Sequence, residues 1–236
     1  MGRENDRIDH LIGCIPTRRM PATLIASSGH HCEVWRSSGT VRRKGWRSPL
    51  DIVIKIPRQP LSAPEAKTLQ REHQMLRAAL GEIVPPALFV RTRIDGVESL
   101  VAMAPTVSRW FDLANPTHEA EAAPLLRQLP EARHALQRFV EQAELWYAKE
   151  DKVIDLYGLD NLVLDRNRQL RYIDSFGVFF YADLLHLVPD EDTALAHRIA
   201  LSRRRLEYLQ HLLVLCDAHP TADANLEPTE PNRASQ

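Results

Sequence analysis

Cysteine is scarce in this chain and badly spaced for a framework. Cys14, Cys32 and Cys216 are the only three, with no C-x-x-C pair. That excludes a disulfide scaffold and argues against a structural zinc site. Neither sign of charge is in excess: 30 Lys and Arg stand against 31 Asp and Glu, a formal net charge of −1. The basic surplus that marks a nucleic-acid-binding domain is therefore missing. No apolar run approaches the roughly 18 residues a membrane span needs. The opening stretch, MGRENDRIDHLIG, carries charge where a secretory leader has a long apolar centre, so the expectation is a cytoplasmic protein without a signal. Internal repeats are absent too.

What is present is an ordinary globular composition, 44% hydrophobic and 26% charged over 236 residues, enough for one or two domains with a sizeable core. Residues 1–19 are polar with scattered charge, and 218–236 (HPTADANLEPTEPNRASQ from His219) lack an apolar face. Both ends are expected to be disordered. Between them, 20–105 reads as strands holding one helix. Thr23-Leu24-Ile25 and Cys32-Glu33-Val34-Trp35 are extended, and 37–49 looks like a polar hairpin connection. Asp51–Ile56 is a β-branched strand bounded by Pro49 and Pro57. Ser62-Ala63-Pro64-Glu65 starts a helix with a capping box, Leu69, Leu76 and Leu80 lie on or near one face, and Gly81 stops it. Asp95-Gly96 joins strands 87–94 and 98–104 as a tight hairpin. Residues 106–217 turn helical: 131–149 carries Ala135, Phe139, Ala143 and Tyr147 at four-residue steps, and 190–216 is rich in Leu, Ala and Arg. A small hairpin, 162–164 with 170–173, interrupts the helices across the polar turn Asp165–Arg168. The fold class expected is two-lobed α+β with a cleft.

Several residues have the chemistry for such a cleft. Lys55 follows Ile52-Val53-Ile54, so its ammonium lies near a core and needs a carboxylate or a phosphate. Asp174 leaves a strand just before a glycine turn (Ile173-Asp174-Ser175-Phe176-Gly177), a position from which a carboxylate can reach a metal. Asn161 precedes Leu162-Val163-Leu164, and a hairpin separates it from Asp174. In this order the motifs resemble the protein-kinase-like superfamily, in a small and divergent bacterial form similar to the YrbL type of the PhoP regulatory network. The resemblance covers roughly 23–180. It implies a β-rich N-lobe with one helix and a reduced helical C-lobe. It also implies that Glu72 pairs with Lys55 on the nucleotide phosphates, that Asn161 and Asp174 hold Mg²⁺, and that Asp155 is the base at the acceptor hydroxyl. Val34 and Val53 would flank the nucleotide, and Ser27, Ser28 and Gly29 would replace the glycine-rich loop.

The chain departs from the family pattern in named places. The base should lie five residues before the asparagine, where this sequence has Leu156; Asp155 is one residue further back. Either the loop has gained a residue, absorbed by a positive φ at Gly158, or the base is lost. Asp160 is a poorer substitute. Cys32 stands at the third glycine position, and an extra Ser175 separates Asp174 from Phe176. Other candidates reduce to bland readings. His30-His31-Cys32 is too compact for a metal site, Arg203-Arg204-Arg205 is a solvated helix face, and Trp110, Trp146 and Tyr157 are packing residues. The expectation is an ATP- and Mg-dependent phosphotransferase acting on a hydroxyl of a protein or small-molecule acceptor, with no nucleic-acid partner and no membrane span. The alternatives are a pseudokinase serving as a nucleotide-binding or regulatory module, and an unrelated structural α+β protein.

Overall fold

The structure, a computed structural model, describes residues 7–17, 20–26, 32–43, 45–183 and 193–217, without the side chains of 41–43. The N-terminal half is a five-stranded antiparallel sheet in the order β1-β2-β3-β5-β4. Its strands are β1 Thr23–Ala26, β2 Cys32–Arg43, β3 Trp46–Pro57, β4 Leu88–Ile94 and β5 Val97–Pro105. Helix α1, Ala63–Leu80, connects β3 to β4 and closes on its expected signals. Ser62 and Glu65 form a reciprocal capping box, and Gly81 takes φ 60° just past the last turn. The β4–β5 connection is the two-residue turn Asp95-Gly96, both at positive φ, as the twist of a tight hairpin requires.

Strand period explains why both faces of this sheet are buried. On one face Val34, Leu100, Ala102 and Phe89 meet Ala66 and Leu69 of α1. On the other, Trp35, Ile54, Ile56 and Val101 meet Ile8 and Ile12. Residues 7–17 are therefore not the disordered start expected of 1–19. Three sparse isoleucines, Ile8, Ile12 and Ile15, supply an apolar edge, and backbone bonds from Gly13 to Arg93 (2.9 Å) and from Asp95 to Leu11 (2.9 Å) lay the segment across the β4–β5 hairpin. His10 completes the clasp between Asp95 (2.6 Å) and Glu33 (3.4 Å). Partial burial alone would lower its pKa, but the two carboxylates carry it above the ordinary value.

The C-terminal half begins with β6 Arg109–Asp112, then α2 Glu119–Gln128 and α3 Pro130–Glu150. It continues through β7 Lys152–Ile154, the hairpin β8 Leu162–Asp165 and β9 Leu170–Tyr172, β10 Phe179–Tyr181 and α4 Thr193–Asp217. The strands form two small sheets, β6-β8-β9 and β7-β10. Residues of α2, α3, α4 and the β8–β9 hairpin share one core with Leu76 and Leu80 of α1. The buried face of α3 is Ala132, Leu136, Phe139, Val140, Ala143 and Trp146, so Ala135 and Tyr147 sit on its margin. Among the described residues, no helix is long and apolar enough to cross a membrane.

One element is longer than its sequence suggested. The expected 37–49 connection continues the two strands, and the ladder runs without a slip from Cys32↔Pro57 to Arg43↔Trp46.

Candidate functional site

Lys55 is placed by β3, where its strand neighbours Ile54 and Ile56 anchor the opposite face of the sheet. The lysine is only 8% exposed. Its Nζ donates to the carbonyl of Ile173 (2.9 Å) and to Asp174 Oδ1 (3.2 Å). Asp174 is fixed from its own side as well: the backbone N–H groups of Ser175 (2.6 Å) and Phe176 (3.3 Å) donate to the same oxygen. Phe176 is buried beneath α1, edge-on to Phe89 at 6.1 Å, which in turn meets the His73 ring at 5.2 Å. The aromatic wedge thus ties the Asp174 turn to the sheet half of the molecule.

Asp155 lies on the loop after β7. It is 5% exposed, and its N–H donates to the Val178 carbonyl (2.9 Å). Its carboxylate accepts from the Tyr157 N–H (2.7 Å), and its own carbonyl accepts from Asn161 Nδ2 (3.0 Å) and the Tyr172 hydroxyl (3.0 Å). Burial first, and then the charge of Asp174, push the Asp155 carboxyl up to about 7; Arg198 and Arg205 act the other way. Asn161 is joined to the rest through its backbone, because the Ile173 N–H donates to its carbonyl (2.9 Å). One connected set therefore runs Lys55–Ile173–Asn161–Asp155, with Asp174 on the lysine.

Gly158 has a different role from the one its loop position suggested. It is not among the positive-φ glycines. A Cβ there would lie 2.4 Å from Asn161 Oδ1, so the position needs glycine because the Asn161 amide is packed flat against it.

The donors left over have a consistent chemistry. Among the described residues, neither Asp174 Oδ2 nor Asn161 Oδ1 accepts a hydrogen bond. Both are hard oxygens of the type Mg²⁺ takes alongside phosphates and water, so the set fits that ion. No group of three His, Cys, Asp or Glu side chains suited to a metal occurs among the described residues.

The expected Lys55–Glu72 ion pair is not formed. Glu72 is buried on α1, but it accepts a hydrogen bond from the Tyr181 hydroxyl, while Lys55 pairs with Asp174. Burial raises the Glu72 pKa, against the hydrogen bond from Tyr181 and the nearby Lys152. Val34 and Val53 are half-buried beside this region, on paired strands β2 and β3. Ser27, Ser28 and Gly29 lie outside the described residues. Asp160 turns away to pair with Arg109.

Three residues that sequence reasoning passed over hold the site together. Arg205, read as part of a solvated face, is 9% exposed and donates to the carbonyls of Leu156 and Tyr157. Ser202, one turn earlier on α4, accepts from the Leu156 N–H (3.1 Å). Tyr181 engages Glu72. The i, i+3 spacing of Ser202 and Arg205 was the available signal, masked by the Arg run around it. Trp146 is core as expected, but Trp110 and Tyr157 are about 40% exposed, at 42% and 41%. Trp110 stacks under Arg168 at 3.9 Å. Cys32 is buried, and burial, offset in part by Lys55, pushes its thiol up to about 11, an unreactive state.

No protein-family model matches this chain, and no curated protein matches it.

Proposed function

We propose that the chain is a small kinase-like phosphotransferase with a two-lobed fold, using ATP and Mg²⁺ to phosphorylate a hydroxyl of a protein or small-molecule acceptor. The observation that carries this reading is the connected set of Lys55, Asp174, Asn161 and Asp155, with a buried carboxyl poised near neutrality at its far end. Lys55 would meet the phosphates, and Asn161 and Asp174 would hold Mg²⁺ through their free oxygens. The ion would supply charge neutralisation on the phosphate oxygens. Asp155, titrating near the operating pH, would orient the acceptor hydroxyl and take its proton. Catalysis of this type rests on position and charge, which a pre-tied loop provides.

A second reading, a pseudokinase that binds nucleotide without transfer, is favoured by one observation. Lys55 is occupied by Asp174 and Glu72 by Tyr181, so the lysine lacks the carboxylate that would aim it. Thermal shift with ATP and Mg²⁺, followed by ATP turnover on the same preparation, separates the two. A shift with turnover that is abolished in Asp174→Ala supports transfer; a shift without turnover supports the pseudokinase. No shift would remove the nucleotide from both readings.

A further inference from the structure

Residues 7–17 cross the face of the sheet opposite α1 as irregular chain. Ile8 and Ile12 are buried there, and together with Trp35, Ile54, Ile56 and Val101 they make one apolar cluster. For so much buried surface the segment has few backbone ties. Among the described residues it meets the β4–β5 hairpin at one bridged pair, Ile12↔Ile94, through the Gly13 and Asp95 N–H groups (2.9 Å each). A segment held by so few ladder bonds opens locally before the sheet beneath it does.

Its side-chain hold converges on His10. Asp95, at the hairpin turn, accepts the Leu11 N–H on Oδ1 (2.8 Å) and meets His10 Nδ1 with Oδ2 (2.6 Å). Across the ring, His10 Nε2 lies 3.4 Å from Glu33 Oε2 on β2, an oxygen that also accepts from Trp35 Nε1 (3.3 Å). These two acids, one from each element packed against it, are the charged groups that act on the ring. A neutral imidazole has one N–H, so it would set a lone pair against one of the two carboxylates. Only the imidazolium has a donor for both. The closed arrangement therefore takes up a proton, and the raised pKa of His10 agrees with that geometry. A third of the His10 side chain, 33%, stays in contact with solvent, so the proton exchanges without unfolding.

We propose that residues 7–17 are a proton-gated strap. Charged His10, bridging Asp95 and Glu33, holds the segment across the sheet; neutral His10 lets it lift and uncover the Trp35 and Ile54 face. The sign follows from linkage. The closed state binds the proton more tightly than the open one, so its contribution is full below the ordinary His range. It is lost as pH rises through the raised value. Both ion pairs are partly exposed, which sets the expected change in the opening equilibrium at about two- to fivefold. The inference does not rest on the reaction proposed for the cleft.

The test is amide hydrogen exchange on the full chain from about pH 5.5 to 8, corrected for the intrinsic rate at each pH. Protection of the Leu11 and Gly13 amides should fall about two- to fivefold across that range. His10→Gln can donate to one carboxylate only. It should open at low pH as readily as the wild type does at high pH, and the slope over 7–17 should vanish. Glu33→Gln removes one of the two acids that hold the proton, so the fall should move to lower pH. Melting curves identify any variant that has lost its fold, in which case the other variant and the wild type decide. Level protection in the wild type would overturn the proposal. So would the wild-type slope persisting in folded His10→Gln, which would assign it to global stability, or an unmoved fall in folded Glu33→Gln.

Discussion

Asp155, which opens the 155–161 loop, and the α1 carboxylate Glu72 are both buried and acidic, yet they are held in opposite ways. The loop is tied by several elements at once: Val178 on its N–H, Tyr172 and Asn161 on the Asp155 carbonyl, Ser202 and Arg205 of α4 on the next two residues. Among the described residues, Glu72 accepts a single side-chain hydrogen bond, from Tyr181. A group held by many partners keeps one position; a group held by one partner can exchange it. The difference separates a rigid part of the site from a part with two available arrangements, and substitutions on each side test it.

The largest effect is expected at Asp155. Because burial raises its pKa in the folded state, the proton binds more tightly there than in the unfolded chain. Its contribution to stability is therefore full below the ordinary Asp range and is lost as pH rises through about 7. Asp155→Asn should remove that slope, raising the melting temperature at pH 8 while leaving it nearly unchanged at pH 4. Turnover in the wild type should rise as pH passes about 7, and the variant should lose roughly 10²–10⁴-fold with ATP affinity kept. Lower stability of the variant at pH 8 would show that the carboxylate is favourable where it sits.

Next in size is Arg205. Removing its guanidinium leaves the Leu156 and Tyr157 carbonyls without their buried donor. Arg205→Ala should cost about 1–3 kcal/mol in denaturant unfolding. Arg205→Lys should recover part of that, since one amine cannot match the planar fork. A neutral alanine variant would mean that the loop needs no support from α4.

The smallest effect belongs to Tyr181→Phe. It removes one hydrogen bond at a cost of about 1 kcal/mol or less and frees Glu72 to approach Lys55. Nucleotide affinity should rise or the Mg²⁺ requirement sharpen, measured by titration calorimetry. Unchanged affinity with a large stability loss would place Glu72 among the fixed groups and erase the contrast.

Much of this was legible in the sequence for local reasons. The α1 cap, the Asp95-Gly96 turn and the β8–β9 hairpin are written in adjacent residues. Lys55 and Asp174 could be singled out because a charge beside β-branched or glycine neighbours must find a partner. Which partner was not legible, since Lys55 chose between carboxylates on two elements and Tyr181 competes for Glu72 from 109 positions away. Arg205 was hidden for an angular reason. Successive residues on a helix point about 100° apart, so a run of three arginines fans over more than half the helix, and here Arg203 and Arg204 face out while Arg205 turns inward. The ordered 7–17 segment was missed because three isoleucines among polar residues are too sparse to show a period.

That segment also orders events in time. Residues 7–17 are made before the hairpin they lie across, yet their backbone partners follow far later, Arg93 80 positions after Gly13 and Asp95 84 positions after Leu11. A closure of such long separation is slow and comes after the local hairpins have formed. Until β4 and β5 exist to hold that segment, Trp35 and Ile54 lack the cover of Ile8 and Ile12, and the growing chain carries an apolar surface that residues 7–17 close later.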